Sequence, residues 1–255
     1  MGLLHQINGG VIGNRGVVQS PSVGAYSGGT LQFYLPGDST TESISGLQGT
    51  IHGNVSISTD NPFGHAAARS FEFGNGRLEF AASNAHLQNN AGFSISWWMK
   101  WDGTSSGHSG YHTMFARRSG GTSFESYLDT NNHWISYYSG TNHNNQRVRP
   151  PRDAWVHMAI KHRNYNGGQI RQFMNGIEVN SGNNANGSTS SLPFALGDLP
   201  GGNNETFRGH ICDFALFNGI PSFLGSSFSD TFDPPEAPVS GGSVIPPGVQ
   251  QTQTI

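Results

Sequence analysis

Paired acids, nucleophile motifs and phosphate-binding loops are the features that would carry catalysis, and the sequence offers little of each. Its 16 Asp and Glu residues are scattered. No Glu-x-Asp-x-x-Glu string places two carboxylates about 5 Å apart on one strand face, as a retaining glycosidase requires. A phosphate-binding glycine loop is also missing from the sequence. The closest acids, Asp230, Asp233 and Glu236, lie near the C-terminus. We therefore predict a protein that is not an enzyme.

Metal binding would need histidines or acids at ligand spacing. The chain has 11 histidines, and His108 and His112 are four residues apart. The glycines and serine around them disfavour the helix that would align both rings. Oxygen ligands for calcium could come from Asp102, Asp129 and loop carbonyls, although no EF-hand-like string is present. The sequence predicts no transition-metal site and leaves calcium as the one cofactor to consider.

Aromatic rings beside neutral amides could bind a sugar, because a ring packs against apolar faces while its polar tip and the amides form hydrogen bonds. The candidate ligand-binding residues of these types are Trp98, Tyr111, Asn131, Asn132, Trp134 and Tyr138. Strand alternation places Trp134 and Tyr138 on one face and Tyr137 on the other, so these rings do not form a single platform. The alternative for the set is packing within a sheet and its turns, and for Trp98 packing beneath a loop.

The stretch Phe93–Trp101 is the clearest structural element that could position such residues. Apolar and mostly polar side chains alternate along it, and a period of two predicts a β-strand with one fully apolar face. Trp155–His162 alternates in the same way. We expect these strands and the closing strand to supply the side chains buried between two sheets: Phe93, Ile95, Trp97, Met99, Val156, Met158, Ile160 and Phe214.

Short strands separated by polar turns recur along the chain. Asn175-Gly176 and Gly74-Asn75-Gly76 have the composition of hairpin turns, and Pro221–Phe228 could form a helical turn or two. This pattern predicts an all-β protein, built as an antiparallel two-sheet sandwich or jelly roll. The predicted strands are Leu31–Leu35, Arg69–Phe73, Arg77–Phe80, Phe93–Trp101, Tyr111–Ala116, Ser123–Leu128, His133–Tyr138, Trp155–His162, Gln169–Met174, Ile177–Val179, Phe194–Leu196 and Phe207–Phe217.

Five of these segments resemble strands of laminin-G-like domains in sequence, order and spacing. Phe93-Ser-Ile-Ser-Trp-Trp-Met-Lys is similar to the family's Phe-Thr-Ile-Ser-Phe-Trp-Val-Lys, and Trp155-Val-His-Met-Ala to its Trp-x-His-Val-Ala. Arg171-Gln-Phe-Met-Asn-Gly is similar to its Tyr-Val-Asn-Gly hairpin. Phe207-Arg-Gly-His-Ile-Cys-Asp-Phe-Ala-Leu-Phe-Asn resembles its closing strand, and Ser70-Phe-Glu-Phe-Gly stands where the family has Phe-Asp-Gly.

The resemblance spans about residues 30–220 and implies a concanavalin A-like jelly roll of two curved antiparallel sheets. Most members of the family are binding modules for glycans, proteins or calcium-bridged ligands, and some occur on phage and other viral surface proteins. The family's closing strand usually carries Asp-Glu where this chain has Cys212-Asp213. That departure leaves both a structural and a metal-binding role open for the acid. A shared fold does not by itself define a function.

Composition excludes several classes of partner. Charged residues make up 11% of the chain, and the net charge is −3, which gives no electrostatic reason to bind nucleic acid or an anionic membrane. Cys212 is the single cysteine, so no internal disulfide can form. The first residues lack the basic and apolar regions of a secretory signal, and no apolar run approaches the roughly 20 residues of a membrane helix. We expect neither nucleic-acid binding nor membrane insertion.

Two segments rich in Gly or Pro frame the predicted jelly roll. Residues 1–29 contain eight glycines, and residues 234–255 contain five prolines. We therefore divide the chain into an N-terminal arm (1–29), a jelly roll (30–233) and a C-terminal tail (234–255). Ordering such segments costs conformational entropy, so we expect them to bind other virion proteins or copies of the same chain.

A protein of the virion surface, made in the host cytoplasm, accounts for these features together. The features are a recognition-type domain without a secretory signal, a low content of charged residues and two long terminal arms. We predict a non-enzymatic capsid decoration or tail adhesin that displays a lectin-like jelly roll for attachment to a surface or to host glycans. A free carbohydrate-binding lectin is the first alternative, and a glycoside hydrolase is the second.

Overall fold

The computed structural model describes residues 29–64, 66–84, 92–104, 110–119, 122–138, 141–143, 146–163, 168–183, 192–225, 227–240 and 243–244. A 3-10 turn covers Ser222–Leu224, and no helix in these ranges is long and apolar enough to cross a membrane. The predicted N-terminal arm lies outside them except for Gly29.

The strands are β1 (Thr30–Leu35), β2 (Thr50–Ser58), β3 (Ser70–Ser83), β4 (Gly92–Trp101), β5 (His112–Ser119), β6 (Thr122–Leu128), β7 (Trp134–Tyr138), β8 (Thr141–His143), β9 (Trp155–Arg163), β10 (Gln169–Met174), β11 (Ile177–Asn183), β12 (Leu192–Leu196), β13 (Gly209–Asn218), β14 (Val239–Ser240) and β15 (Ser243–Val244).

One long strand, β3, joins the two layers of the sandwich. Its first part, residues 71–73, pairs with β13, and its second part, residues 78–83, pairs with β12. The first layer runs β11-β10-β9-β4-β13-β3 and the second runs β3-β12-β5-β6-β7-β8, while β1 pairs with β13 and β2 with β3. The strands in both layers are antiparallel to their neighbours. The predicted all-β, two-sheet antiparallel jelly roll is confirmed.

The core lies between the inner faces of the two layers, as strand alternation predicted. Trp97 of the first layer packs edge-on against Phe115 and Trp134 of the second, with ring centroids 5.0 and 5.8 Å apart. Burying one large apolar side chain stabilises a fold by about 1.5–3 kcal/mol relative to leaving it exposed, so this cluster holds the layers together. The eight predicted core side chains are each at most 1% exposed: Phe93, Ile95, Trp97, Met99, Val156, Met158, Ile160 and Phe214.

The hairpin turn predicted at Gly74-Asn75-Gly76 is wrong, because β3 continues through it and pairs with β2. The sequence did not predict β2, since most of its residues are exposed and it lacks a buried apolar face. A Cβ on Gly76 would lie 2.5 Å from the carbonyl oxygen of His52, and one on Gly74 would lie 2.5 Å from Asn54 Nδ2. These glycines therefore permit close approach of two strands rather than a reversal of the chain.

Residues 219–225 and 227–240 cover part of the outer face of the first layer. Leu224 is fully buried there. Lys161 of β9 is also fully buried, and its Nζ donates a 2.8 Å hydrogen bond to the backbone carbonyl of Asp230. Burial lowers the pKa of Lys161 to about 8. Val239 is fully buried as well, so the first residues of the predicted Pro-rich tail pack on the jelly roll.

Candidate functional site

Four polar or aromatic side chains form a row across the outer face of the first layer. His210 of β13 pairs with Glu72 of β3 on one side and with Lys100 of β4 on the other, and Lys100 pairs with Trp155 of β9. Successive side chains of a strand point to opposite faces, and the strand neighbours of this row are core residues. The row therefore points outward, and it assembles residues that are distant in sequence.

Asp60, in the loop between β2 and β3, holds this row together. Its carboxylate accepts hydrogen bonds from Lys100 Nζ (2.7 Å) and Trp155 Nε1 (2.9 Å), and it lies 3.8 Å from His210 Nε2. Partial burial raises the pKa of the Asp60 carboxyl group, but the bonds from Lys100 and Trp155 outweigh this effect, so the pKa is lowered. An ionised Asp60 thus fixes the ammonium and indole groups in place before any ligand arrives.

Ser70, His210 and Asp60 have the residue types of a nucleophilic triad but not its accessibility. Ser70 Oγ lies 3.1 Å from His210 Nδ1 and donates a 2.6 Å hydrogen bond to the carbonyl oxygen of Asp60. Burial lowers the pKa of His210, although the Asp60 and Glu72 charges oppose it, so the imidazole is neutral at pH 7. Ser70 is fully buried, and a nucleophile must be reached by its substrate. The Ser70 hydroxyl therefore supports the loop.

A cleft of about 380 Å³ opens beside this row. The end of β4, the start of β13 and the middle of β3 meet there, because these strands are adjacent in the first layer, and the segments after β4 and before β9 complete the wall. Glycines at two lining positions keep part of the wall free of side chains. The residues that line the cleft are Glu72, Phe73, Gly74, Lys100, Asp102, Asp153, Arg208, Gly209 and His210.

The charged groups of the cleft are largely not neutralised by one another. Among the described residues, the carboxylates of Glu72, Asp102 and Asp153 form no ion pair. Arg208 Nη1 reaches the Thr104 hydroxyl at 3.4 Å, and its buried Nε has no hydrogen-bond partner in the described part of the chain. The cleft therefore offers both strong acceptors and strong donors to a ligand.

Two of the sequence-predicted site residues must be corrected, because their rings lie in the core. Trp134 and Tyr138 are each 2% exposed. The Trp134 ring packs on Trp97, and its Nε1 donates a 2.8 Å hydrogen bond to Ser126 Oγ. The Tyr138 ring packs edge-on against Phe124 with centroids 4.9 Å apart. The alternation that placed both rings on one face was right, but that face is the inner one, where no ligand can reach them.

Trp98 lies on the outer face of the first layer and is half-buried. Its ring contacts Phe63 of the β2–β3 loop at 5.9 Å and His157 at 5.2 Å. Burial lowers the pKa of His157 to about 3, so this neighbour is a neutral packing group. Trp98 therefore packs beneath a loop, which was the alternative to a ligand-binding role. It lies in the first layer, whereas the other predicted site residues belong to the second.

The acids considered for calcium stabilise turns. The Asp129 carboxylate accepts hydrogen bonds from the backbone N–H groups of Asn131 (2.8 Å) and His133 (2.9 Å). Asn132 completes this turn with a φ of 63°, so both predicted site asparagines serve the local backbone. Asp102 likewise accepts from the backbone two residues on. Within the described ranges, no group of three or more His, Cys, Asp or Glu side chains could hold a metal ion.

Tyr111 is the predicted site residue that lies on a surface together with a second aromatic ring. Its side chain is on the outer side of the second layer, 36% exposed, with its ring 5.6 Å from that of Tyr127. The Tyr127 hydroxyl donates a 3.2 Å hydrogen bond to Asn142 Oδ1. Sequence reasoning did not include Tyr127, although the alternation Phe-Glu-Ser-Tyr-Leu along β6 places it opposite the core residues.

Asp213, the closing-strand acid whose role the sequence left open, has a structural role. Asp213 is fully buried, and its Oδ1 accepts a 2.8 Å hydrogen bond from the Tyr34 hydroxyl. Its φ is 53°, at a point where the register between β13 and β4 shifts. Asp213 therefore ties β1 to β13 inside the protein.

The family model Laminin_G_3, of the concanavalin A-like lectin/glucanases superfamily, matches residues 74–222, which are 149 of the 255 residues. The chain belongs to the concanavalin A-like lectin/glucanases superfamily. The resemblance inferred from the five strand motifs is thus confirmed. No curated protein sequence matches the chain.

Solved structures with the superfamily fold resemble the chain. One is domain 4 of AbnA, a GH43 extracellular arabinanase from Geobacillus stearothermophilus, in complex with arabinotriose. It has a TM-score of 0.58 and 19% identity over 75% of this chain and 94% of that one. The binding domain of Paraclostridial Mosquitocidal Protein 1 has a TM-score of 0.56 and 12% identity over 75% of this chain and 49% of that one.

A third similar structure is the binding domain of Botulinum neurotoxin DC in complex with SialylT. Its TM-score is 0.52 and its identity 15%, over 75% of this chain and 48% of that one. The chain spans about half the length of the two toxin domains. At these identities the comparisons show a shared concanavalin A-like fold, which the superfamily name assigns to lectins and glucanases alike.

Proposed function

We propose that the chain is a non-catalytic saccharide-binding protein whose cleft, beside Asp60 and Trp155, takes a hydroxyl-rich ligand. The observation that carries this proposal is the convergence of one guanidinium and three carboxylates, which form no ion pair among the described residues, on a cleft of about 380 Å³. The argument rests on these side chains, since the fold alone is shared by proteins of several functions.

A sugar ring matches the chemistry of the cleft because each hydroxyl group can both donate and accept a hydrogen bond. The carboxylates of Glu72, Asp102 and Asp153 accept from hydroxyl groups, and the Arg208 guanidinium donates to hydroxyl oxygens. Small-molecule sites measure about 300–1,000 Å³, and this cleft falls near the lower limit. It therefore suits a short saccharide or the end of a longer chain.

The placement of the carboxyl groups with raised pKa favours binding over hydrolysis. The general acid of a glycosidase keeps a raised pKa beside the bond that it cleaves. In the described part of the chain, burial raises the pKa of Asp213 and of Glu205, and neither residue lines the cleft. A glycoside hydrolase is the alternative function, because the superfamily includes glucanases.

Oligosaccharide-array binding followed by titration calorimetry tests the site. We expect the wild-type chain to bind a subset of saccharides, and Glu72→Gln and Arg208→Gln to weaken that binding at least about tenfold, or about 1.4 kcal/mol. Ile177→Ala is the matched control, since Ile177 is 65% exposed at the opposite edge of the first layer. Wild-type binding that both cleft variants retain in full would contradict the proposed site.

Reducing-sugar release from the bound saccharides separates the two functions. A non-catalytic protein releases none above the level of a heat-denatured control. Release that Glu72→Gln abolishes would instead establish the hydrolase alternative and place its catalytic acid in the cleft.

We further propose that the jelly roll is displayed on a virion surface, as a capsid decoration or a tail adhesin, for attachment to host glycans. The support is compositional: 11% charged residues and Gly- or Pro-rich segments on both sides of the domain. These segments are proposed to bind other virion proteins or copies of the chain. Residues 1–28 and 245–255 lie outside the described residues.

Incorporation into particles tests the display proposal. A chain lacking residues 1–28 should bind saccharide normally but no longer co-sediment with purified particles. Normal particle occupancy of the truncated chain, or absence of the full chain from particles, would refute this part of the proposal without affecting the saccharide site.

A further inference from the structure

A tyrosine surface lies on the outer face of the second layer, and the cleft does not include it. We define it by Tyr111, Tyr127 and Asn142. Phe124 and Leu128 of β6 belong to the core, so Tyr127, between them in the alternation, points away from it. Tyr111 and Tyr127 meet edge to face, with centroids 5.6 Å apart and an interplanar angle of 82°.

The ring of Tyr127 is held in place before a ligand arrives. Its hydroxyl donates to Asn142 Oδ1 at 3.2 Å, and its ring packs in a T-shaped arrangement with that of Tyr111. Burial raises the pKa of the Tyr127 phenol, and the charges of Glu125 and Glu205 add to this effect, so the phenol stays protonated and remains a donor. Because Asn142 uses Oδ1 in this bond, its Nδ2 donors are not consumed by it. Asn142 is exposed.

Acceptor groups surround the rings. Glu205 is half-buried and accepts hydrogen bonds from Thr113 Oγ1 and Asn203 Nδ2, both at 3.3 Å. Glu125 accepts from Arg118 at 3.1 Å and is thereby neutralised. Aromatic rings with an amide and hydrogen-bonded carboxylates near them suit an uncharged sugar ring, whose C–H face packs on an aromatic ring while its hydroxyl groups reach the polar groups.

We propose that this tyrosine surface is a second binding site, for a neutral saccharide, on the side of the sandwich opposite to the cleft. The cleft side chains Glu72 and Lys100 point outward from the first layer, and Tyr127 points outward from the second, so the core separates the two sites. One chain can then hold two saccharide chains at once. This consequence of bivalency rests on the proposed function of the cleft, whereas the tyrosine site itself does not.

The test uses an array of neutral glucose, galactose, arabinose, xylose, mannose and N-acetylglucosamine oligosaccharides. The full-length chain carrying Glu72→Gln and Arg208→Gln, which disable the cleft, is the background. We expect signals that persist in this background and fall at least tenfold when Tyr127→Ala or Asn142→Ala is added. Tyr127→Phe keeps the ring and should lose less than Tyr127→Ala. Ile177→Ala is the control.

Two outcomes overturn the tyrosine site. One is the absence of any saccharide signal in the cleft-disabled background. The other is a set of signals that Tyr111→Ala, Tyr127→Ala and Asn142→Ala all leave unchanged. Because Tyr127 is half-buried, Tyr111→Ala and Asn142→Ala, at more exposed positions, repeat the test with thermal melting as the check of folding. Binding that the cleft substitutions leave intact and that the tyrosine-surface substitutions abolish would reject the proposed cleft and keep this site.

Bivalency has its own measurement. If both sites bind, the wild-type chain should precipitate a soluble polysaccharide that carries both ligands, and neither the cleft-disabled nor the Tyr127→Ala chain should do so. Binding at both sites without precipitation by the wild-type chain would overturn simultaneous occupancy.

Discussion

The backbone N–H of Val239 donates a 2.8 Å hydrogen bond to Oδ1 of Asp213, a carboxyl group that is fully buried. The same oxygen accepts the hydroxyl of Tyr34 at 2.8 Å. One carboxyl oxygen thus connects β1, near the start of the described chain, with β13 and β14, near its end. Val239 also packs in a small cluster with Tyr34, Ala215 and Phe217. The beginning of the Pro-rich tail is therefore part of the domain's packing.

Truncation at two points should separate the packed part of the tail from the rest. Deleting residues 234–255 removes Val239 and leaves the Asp213 carboxyl short of a donor. We expect this to lower the free energy of unfolding by about 2–4 kcal/mol, from lost apolar burial and the loss of one of the two hydrogen bonds to Oδ1 of Asp213. Deleting residues 245–255 should leave the value nearly unchanged. Urea denaturation measures both, and equal losses from the two truncations would contradict the role assigned to Val239.

Stability should depend on pH through Asp213. Burial raises its pKa from the ordinary 3.8 to about 7, although the bonds from Tyr34 and Val239 act in the opposite direction. Between these values the folded state retains a proton that the unfolded state has lost. The stabilising contribution is therefore full below about pH 4 and is lost as the pH rises through about 7.

Asp213→Asn removes this titration while keeping an oxygen acceptor at the position. Urea denaturation at a series of pH values from 4 to 8 measures the difference in unfolding free energy between the wild type and the variant. Histidines such as His143, whose pKa burial lowers to about 4, give a slope of opposite sign, which cancels in the difference. A difference that does not change with pH would show that Asp213 does not titrate in this range.

The core prediction can be tested at Ile160, which is fully buried. Ile160→Ala removes several methyl and methylene groups between the layers, and we expect a loss of about 2–5 kcal/mol in unfolding free energy. Ile177→Ala, at a position 65% exposed, should change stability by less than about 0.5 kcal/mol. Chemical denaturation of the two variants side by side measures the contrast, and similar losses would argue against the assigned inner face.

Gly176 should be intolerant of a side chain for two separate reasons. Its φ is +76°, and a Cβ there would lie within bonding distance of the carbonyl oxygen of Phe232 in the C-terminal segment. Gly64 has a φ of +60° with nothing within 4 Å of a Cβ, so Gly64→Ala is a matched control for backbone strain alone, at about 1–2 kcal/mol. Gly176→Ala should cost clearly more in thermal and urea denaturation. Equal losses of unfolding free energy in the two variants would mean that Phe232 does not contact the hairpin closely.

Periodicity along single strands was enough to predict much of the fold. The alternation in Phe93–Trp101 and Trp155–His162 identified the inner residues, because a side chain's face depends only on its position in its own strand. Asn175-Gly176 identified its hairpin, because the turn needs residues that adopt a positive φ. The same alternation could not say which face is inner when both carry aromatic rings. Trp134 and Tyr138 were therefore placed in a ligand site, whereas packing against the first layer buries them.

The cleft was decided by tertiary structure. Glu72, Lys100 and His210 become neighbours through the strand order β4-β13-β3, and Asp60 and Arg208 reach the same place from a loop and a strand end. A local pattern contains no information about which distant strand pairs with which, so sequence motifs could not assemble this group. The C-terminal cover arises in the same way: Val239 appeared as one apolar residue in a proline-rich segment, and only its partner Asp213, 26 positions earlier, gives it a buried site.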